Sequence, residues 1–549
     1  MNKRLQTYYT YLIDSRKHER MGWYNHYKSI ISDVQKIKQN LSQYSLLQDE
    51  AYMNTSFAKH KTPSWHFFKA FFANKGNGIA SNGRSILSNN DFDKVYNDDA
   101  FVKSVEDLIK EPSKANHFAF KTIWKEKIGN NNPVLTNRAT AACGLLVTST
   151  VDEASFSQVF HWLQEQELIA NYTGENNWYD QNVFVMQQLK EVLKDVEDCD
   201  EYWVSIFYWE MYENLTKPFS LKKQIVKYGA PGTGKTYIAK EVAKLQFKIW
   251  ESSFIKDTGI GFNDCIETIQ FHPSYSYEDF IEGLRPNLEG KLQLENGIFK
   301  NLCKRAAKWE IDVFNINPNL EFNTLKVKDV LYYKNELSQN YWTFVFSENE
   351  NKLLKDIIAP YFIIIDEINR AELSRVFGEL MYCLEYRGIN GKVKTQYSQL
   401  NSQSTGMLQI NNESYFFVPN NLYVMGTMNT VDRSVESFDF ALRRRFKWEE
   451  VLPNTDLLRY HLQDYNAKWI DLADNLQNLN EAIENEILLG KDYCIGHAYL
   501  WELPYAKKLP ITEVRKTVWD DSIVSLLEEY LRGTGRNDLL KTFAKSFGL

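Results

Sequence analysis

The chain has 549 residues, 44% hydrophobic and 25% charged, and 64 Lys and Arg against 71 Asp and Glu leave a formal net charge of −7. That length supports two to four domains with proper cores, and the composition reads as globular and soluble. No apolar run approaches the roughly 20 residues that span a bilayer, and the N-terminus lacks the apolar stretch of a signal peptide, so no membrane partner and a cytoplasmic location are expected.

The six cysteines, Cys143, Cys199, Cys265, Cys303, Cys383 and Cys494, are scattered without a CxxC pair. They suggest neither a zinc site nor a disulfide framework. Charge is uneven: residues 1–150 hold 21 Lys and Arg against 13 Asp and Glu, a net of +8, so the remainder carries −15. The basic excess permits nucleic-acid contact, although an ordinary solvated surface explains it equally well.

In chain order, residues 1 to about 110 mix helix-like stretches such as "HYKSIISDVQKIKQNLSQY" with the aromatic cluster "SWHFFKAFF" and the polar segment "NKGNGIASNGRSILSNNDFD". Residues 131–195 read as helix, helix and hairpin, the last over "ANYTGENNWYDQNVFVM", in a weakly winged-helix-like order. Trp65, Phe67, Phe68, Trp124 and Trp178 offer aromatic faces for a flipped, modified base. Aromatics at such spacing are more often core. A break at "NLTKPFS" closes an N-terminal region of residues 1–215, with a further division near 115.

Strands and helices then alternate. "KQIVKYG" reads as a strand and "KTYIAKEVAKL" as a helix, and the loop between them satisfies G-x-x-x-x-G-K-[ST] through Gly229, Ala230, Pro231, Gly232, Thr233, Gly234, Lys235 and Thr236. Backbone amides at such a loop and helix start converge on polyphosphate. Lys235 is expected on the β- and γ-phosphates and Thr236 on Mg²⁺. About 130 residues later, "YFIIIDEINRAELSRVFGELM" gives a buried strand over Phe362–Ile365. Asp366 suits magnesium there, and Glu367 is placed to polarise the attacking water.

"NNLYVMGTMNT" reads as a third buried strand ending at Asn429, beside the γ-phosphate, with a helix starting near "SVESFDFALRRRF". Arg443, Arg444 and Arg445 lie too far on to reach the same nucleotide easily. They suit either a finger into a neighbouring subunit's site or a cationic helix end that complements the dipole.

At this point the chain resembles the McrB-type AAA+ motor subunits of modification-dependent restriction systems, on "GAPGTGKT", "QFHPSYSYEDFIEGLRP", "IIIDEINRAELS", "GTMNTVDRS", "DFALRRRF" and "IGHAYL", in order over residues 222–500. The resemblance implies an α/β AAA+ P-loop NTPase core with a parallel sheet over 216–455 and a helical lid over 456–549, preceded by a mainly α (α+β) N-terminal domain over 1–215 that recognises target DNA. It implies Mg²⁺, GTP or ATP with GTP favoured, a homo-oligomeric ring, expected as a hexamer, and a McrC-like nuclease subunit. Residue by residue, Gly229 to Thr236 bind phosphates, Asp366 and Glu367 serve metal and water, Asn369 and Arg370 extend that motif, and Asn429 with Asp432 form an Asn-Thr-x-Asp signature. Arg443 and Arg444 are the finger candidates. Val431 stands where the familiar signature has alanine.

Two insertions remain: about 50 residues before the Walker B strand, and "NGKVKTQYSQLNSQSTGMLQINNESYFFVP", which suggests a hairpin. Asp279 with Glu289 and Lys291 superficially resembles a D…ExK nuclease site, but it sits inside the motor's own motif block and is discounted. The competing function is a MoxR or dynein-related AAA+ ATPase that remodels protein complexes.

Overall fold

A computed structural model of the chain describes residues 2–73, 78–80, 89–219, 222–254, 258–337, 340–431, 443–465, 469–503 and 509–549. Two compact units divide it, Met1–Pro218 and Phe219–Leu549.

Among its described residues the first unit is built from helices: α1 (Asn2–Leu12), α2 (Lys17–Asn40), α3 (Pro63–Ala73), α4 (Asn89–Val95), α5 (Asp99–Lys110), α6 (Lys114–Ile128), α7 (Pro133–Ala142), α8 (Glu153–Glu165), α9 (Trp178–Leu193) and α10 (Glu201–Met211). Local chemistry sets several starts. The side chains of Asp98, Ser113, Asp152 and Asn177 accept from Phe101, Asn116, Ser155 and Asp180 amides, which satisfies orphan donors in each first turn.

The Asn177 cap explains the first correction. Residues 170–186 do not form a hairpin; Trp178, Tyr179, Gln181, Asn182, Val185, Met186, Leu189, Val192 and Leu193 are buried on one helix, at helical rather than alternating spacing. Its aromatic and β-branched residues favour strand, but burial of that face outweighs a propensity scale spanning only about 1 kcal/mol. The winged-helix-like order goes with the hairpin.

The second correction concerns the base cage. Phe67, Phe68 and Trp124 are fully buried, Trp178 nearly so, and Trp178 Nε1 donates to Thr150 O at 3.1 Å. Phe72 joins Phe101, Phe120 and Trp124 in one aromatic core. Trp65 alone of the five is exposed, packed edge-on against Phe92. These rings stabilise the unit by burial, about 1.5–3 kcal/mol for each large side chain, and leave no shared face for a base.

In the second unit β1 (Gln224–Gly229), β2 (Ile266–Gln270), β5 (Tyr361–Asp366), β8 (Leu422–Asn429) and β9 (Lys447–Glu450) form one parallel sheet in the order β2-β5-β8-β1-β9. The runs "QIVKYG", "YFIIID" and "LYVMGTMN" are continuous rather than alternating because both faces of a crossover-connected sheet are covered. Helix α11 (Lys235–Ser252) buries Ala239, Val242, Ala243, Phe247 and Trp250. The register pairs Gly229 with Asn429 and Gln270 with Asp366, so the strands carrying the motifs end along one edge.

The insertions form two antiparallel hairpins, β3 (Glu282–Pro286) with β4 (Leu292–Asn296) and β6 (Leu408–Ile410) with β7 (Glu413–Tyr415), together with helices Ile298–Ala306 and Lys308–Ile316. Asp279 is structural: its Oδ2 caps the helix at Ser276 and its Oδ1 accepts from Arg285, while Lys291 pairs with Glu289 across the turn. Helices Thr455–Tyr465, Ile470–Glu484, Ile511–Val518, Val524–Leu531 and Leu539–Ser546 gather around a separate core of Leu472, Leu476, Leu479, Ile483, Leu527 and Phe543. This is the helical lid of a P-loop NTPase, beside a sheet of the expected class. No helix among the described residues is long and apolar enough to cross a membrane.

Candidate nucleotide site

The loop from Gly229 to Thr236 links β1 to α11 at the sheet's C-terminal edge. Gly229, Gly232 and Gly234 have φ of 148°, 73° and 79°, conformations that side chains rarely adopt. At Gly232 a Cβ would also stand 2.7 Å from the Tyr499 ring. Lys235, 7% exposed, donates to Gly229 O at 3.1 Å and Ala230 O at 2.7 Å, so its ammonium lies across the loop's mouth. Thr233 is fully buried, and its hydroxyl donates to Ala230 O at 3.0 Å, closing the turn.

Asp366 and Glu367 end β5 side by side but play different geometric parts. Asp366 Oδ1 accepts from Thr236 Oγ1 at 2.7 Å and also from Thr427 Oγ1, which β8 carries. A hydroxyl and a carboxylate within hydrogen-bond reach are an oxygen-only donor set of the kind Mg²⁺ takes, with water completing its shell. Glu367 has φ 49° and ψ 46°, a left-handed backbone that is costly for a residue with a side chain and typical of functional turns. That turn brings Glu367 Oε1 within 3.0 Å of Asn429 Nδ2, while Oε2 lies 3.4 Å from Arg370 Nε.

The structure therefore brings together Gly229 to Thr236, Asp366, Glu367 and Asn429. Asn369 is buried at 3% exposure in the turn directly after Glu367, and neither atom of its amide has a hydrogen-bond partner among the described residues. Asp432 and most of the expected helix before Arg443 lie outside the described residues. Arg443 and Arg444 are exposed and are not gathered into this cluster. Arg445 O accepts from Gln224 Nε2 at 2.7 Å, which puts the arginines beside the first residue of β1 while the phosphate loop follows its last. At about 3.3 Å per residue the strand separates them by roughly 16 Å. Arg443 stacks on Trp448 at 5.1 Å, and Glu385 binds Arg445 at 3.0 Å and Arg444 at 3.7 Å.

Two contributors were not visible as such in the sequence. Thr427 was hidden inside an apolar strand; its only sign is its position two residues before Asn429, on the same face. The stretch Gly496-His497-Ala498-Tyr499 of "IGHAYL" sits directly on the loop, with Gly496 N donating to Pro231 O and Ala498 N to Gly232 O, both at 2.9 Å. A Cβ on Gly496 would fall 1.9 Å from Gly232 C, so only glycine permits this approach. At the sheet's other end, burial pushes the Glu310 carboxyl up to about 7 and the Lys223 ammonium down to about 8; both bond Asn420 and hold the start of β8, away from the phosphate loop.

Comparison with known proteins agrees with this geometry. The family described as "AAA domain (dynein-related subfamily)" matches residues 225–446, and "McrB, alpha-helical lid domain" matches residues 471–537. The chain is 33% identical over 326 residues to the type IV methyl-directed restriction enzyme EcoKMcrB subunit of Escherichia coli K12, covering 58% of this chain and 56% of that one. It is 26% identical over 306 residues to the type II restriction enzyme BsuMI component YdiS of Bacillus subtilis 168, covering 51% of this chain and 75% of the other. The chain thus spans little more than half the length of the E. coli relative.

Proposed function

With an AAA domain over residues 225–446 and an McrB-type lid over 471–537, the chain carries an McrB-type AAA+ NTPase module, and we propose that it is the ring-forming motor of a system that restricts foreign DNA. The observation that carries the catalytic part is the meeting of Thr236, Asp366, Glu367 and Asn429 at the end of the phosphate loop. Loop amides bind the polyphosphate, and Lys235 exchanges loop carbonyls for the β- and γ-phosphate oxygens. Thr236 and Asp366 hold Mg²⁺, which when bound neutralises charge on those oxygens. Glu367 orients and polarises the attacking water, and Asn429 fixes the carboxylate through Oε1.

Arg443 or Arg444 acts as a finger into the next copy's site. Its place at the opposite end of β1 removes it from its own nucleotide, and its exposure leaves it available to a neighbour. GTP is the favoured substrate, residues 1–215 contact target DNA, and a McrC-like subunit supplies the nuclease; these follow from the resemblance and from the restriction relatives. Of the cations in the first unit, Lys103, Lys114, Lys121 and Lys127 already pair with carboxylates, so DNA contact falls to others.

Because the matched AAA domain is of the dynein-related subfamily, remodelling of protein complexes is the second reading. Two titrations of the full chain separate them. Turnover over one concentration range should be greater with GTP than with ATP, and a large ATP preference contradicts the substrate. Gel-shift binding of duplex DNA should weaken as salt rises through loss of phosphate contacts. No binding to modified, unmodified or single-stranded DNA at low salt favours remodelling.

A further inference from the structure

His497 opens the short 3-10 turn His497–Leu500 in the lid segment seated on the phosphate loop. The side chain is 8% exposed. Its Nδ1 accepts from the Asn454 amide at 3.2 Å, so in the neutral ring the proton resides on Nε2. Burial pushes the imidazole down to about 4, which keeps it neutral at pH 7. Nε2 lies 3.9 Å from where a Cβ would stand on Gly234, the residue that caps α11 and begins the phosphate-facing run of amides. Among the described residues Nε2–H has no acceptor. A nearly buried donor left without a partner costs free energy unless something outside the chain accepts from it.

We propose that His497 is a nucleotide-contacting residue whose Nε2–H donates to a phosphate oxygen of the nucleotide held by residues 229–236, so that bound nucleotide fastens the lid to the phosphate loop. This rests on the reading of that loop as a triphosphate site. The backbone fixes the donor's place: Gly496 and Ala498, on either side of His497, are bonded to Pro231 and Gly232. Since His497 is neutral, it adds direction without adding charge. The contact is therefore to a phosphate already neutralised by Lys235 and the loop amides rather than a second counterion. A lid displaced from the loop loses both backbone bonds and the nucleotide contact together.

The test uses the full chain, calorimetric titration with GTP, GDP and guanosine in the presence of Mg²⁺, and thermal melts without nucleotide. His497→Ala should weaken GTP and GDP by about 10- to 100-fold, the scale of one hydrogen bond to a charged acceptor, and leave guanosine unchanged. His497→Gln retains an N–H donor and should recover part of the loss, with both variants melting near the parent temperature in the absence of nucleotide. Parental GTP affinity in His497→Ala overturns the inference while leaving the NTPase reading intact. Equal losses in Ala and Gln variants, with both melting lower without nucleotide, overturn it in favour of a packing role. A parent chain that binds no GTP or ATP, and so behaves like Lys235→Ala, overturns the NTPase reading and the inference with it.

Discussion

Lys235→Ala should abolish phosphate release and weaken triphosphate binding. Lys235 is nearly buried at the mouth of the loop, and its ammonium is the only cationic group the structure places against Gly229 and Ala230 carbonyls among the described residues. When phosphate enters, that charge is available at hydrogen-bond distance in a partly desolvated site, where it is worth far more than a surface ion pair. Loss of one such preorganised contact costs on the order of 10²–10³ in rate, and here the same group also supports ground-state binding. The freed carbonyls sit at a loop open to water, so the fold should survive. Phosphate release measured with Mg²⁺ at saturating GTP and ATP checks this, and turnover near the parent's value contradicts the motor reading.

Glu367→Gln should separate binding from cleavage. The amide is nearly isosteric, keeps an oxygen for Asn429 Nδ2, and needs no change in the left-handed backbone at φ 49°. What disappears is the negative charge that polarises water, a contribution of about 10²–10⁴ in rate. Nucleotide affinity should remain within a few-fold of the parent while hydrolysis falls by that factor, trapping loaded subunits. Equilibrium titration beside single-turnover hydrolysis distinguishes the two quantities. If affinity falls as far as turnover, Glu367 is a binding residue rather than the group that activates water.

The parts of this site legible in the sequence share one property: each is a motif at the end of an apolar run. Gly229 to Thr236, Asp366 and Asn429 follow strands whose burial on both faces writes itself as consecutive Ile, Val, Leu and Met, and a parallel sheet then brings their C-terminal ends to one edge. Contacts made across the tertiary structure left no such trace. Thr427 binds Asp366 because β8 happens to register Gly426 against Ile365. Gly496 and Ala498 bind the phosphate loop through backbone amides, which no side-chain pattern encodes. For the arginines, their distance along the chain from Asn429 suggested remoteness; the pairing of β9 with β1 turned that into a position at the sheet's opposite end. In the helical unit, alternation was read into residues 170–186 where capping and a buried helical face decide the outcome. The aromatics there fill a core, as such spacing usually does.

A triphosphate held by one copy and cleaved with an arginine from the next requires that two differently damaged subunits repair each other. Lys235→Ala lacks a working phosphate loop but keeps Arg443 and Arg444; Arg443→Ala/Arg444→Ala keeps the loop and lacks the arginines. Each alone should be inactive. Mixed in equal amounts with GTP and Mg²⁺, they can place an intact loop from the second beside intact arginines from the first, since a finger supplied in trans stabilises charge developing on the transferred phosphoryl group. The measurement is steady-state phosphate release from the mixture, with mixed assemblies verified by pull-down of one tagged variant by the other. Partial recovery, rising with total protein concentration, is the predicted result; a mixture that stays inactive while mixed assemblies form contradicts it and leaves Arg443 to Arg445 as structural cations at the start of β9.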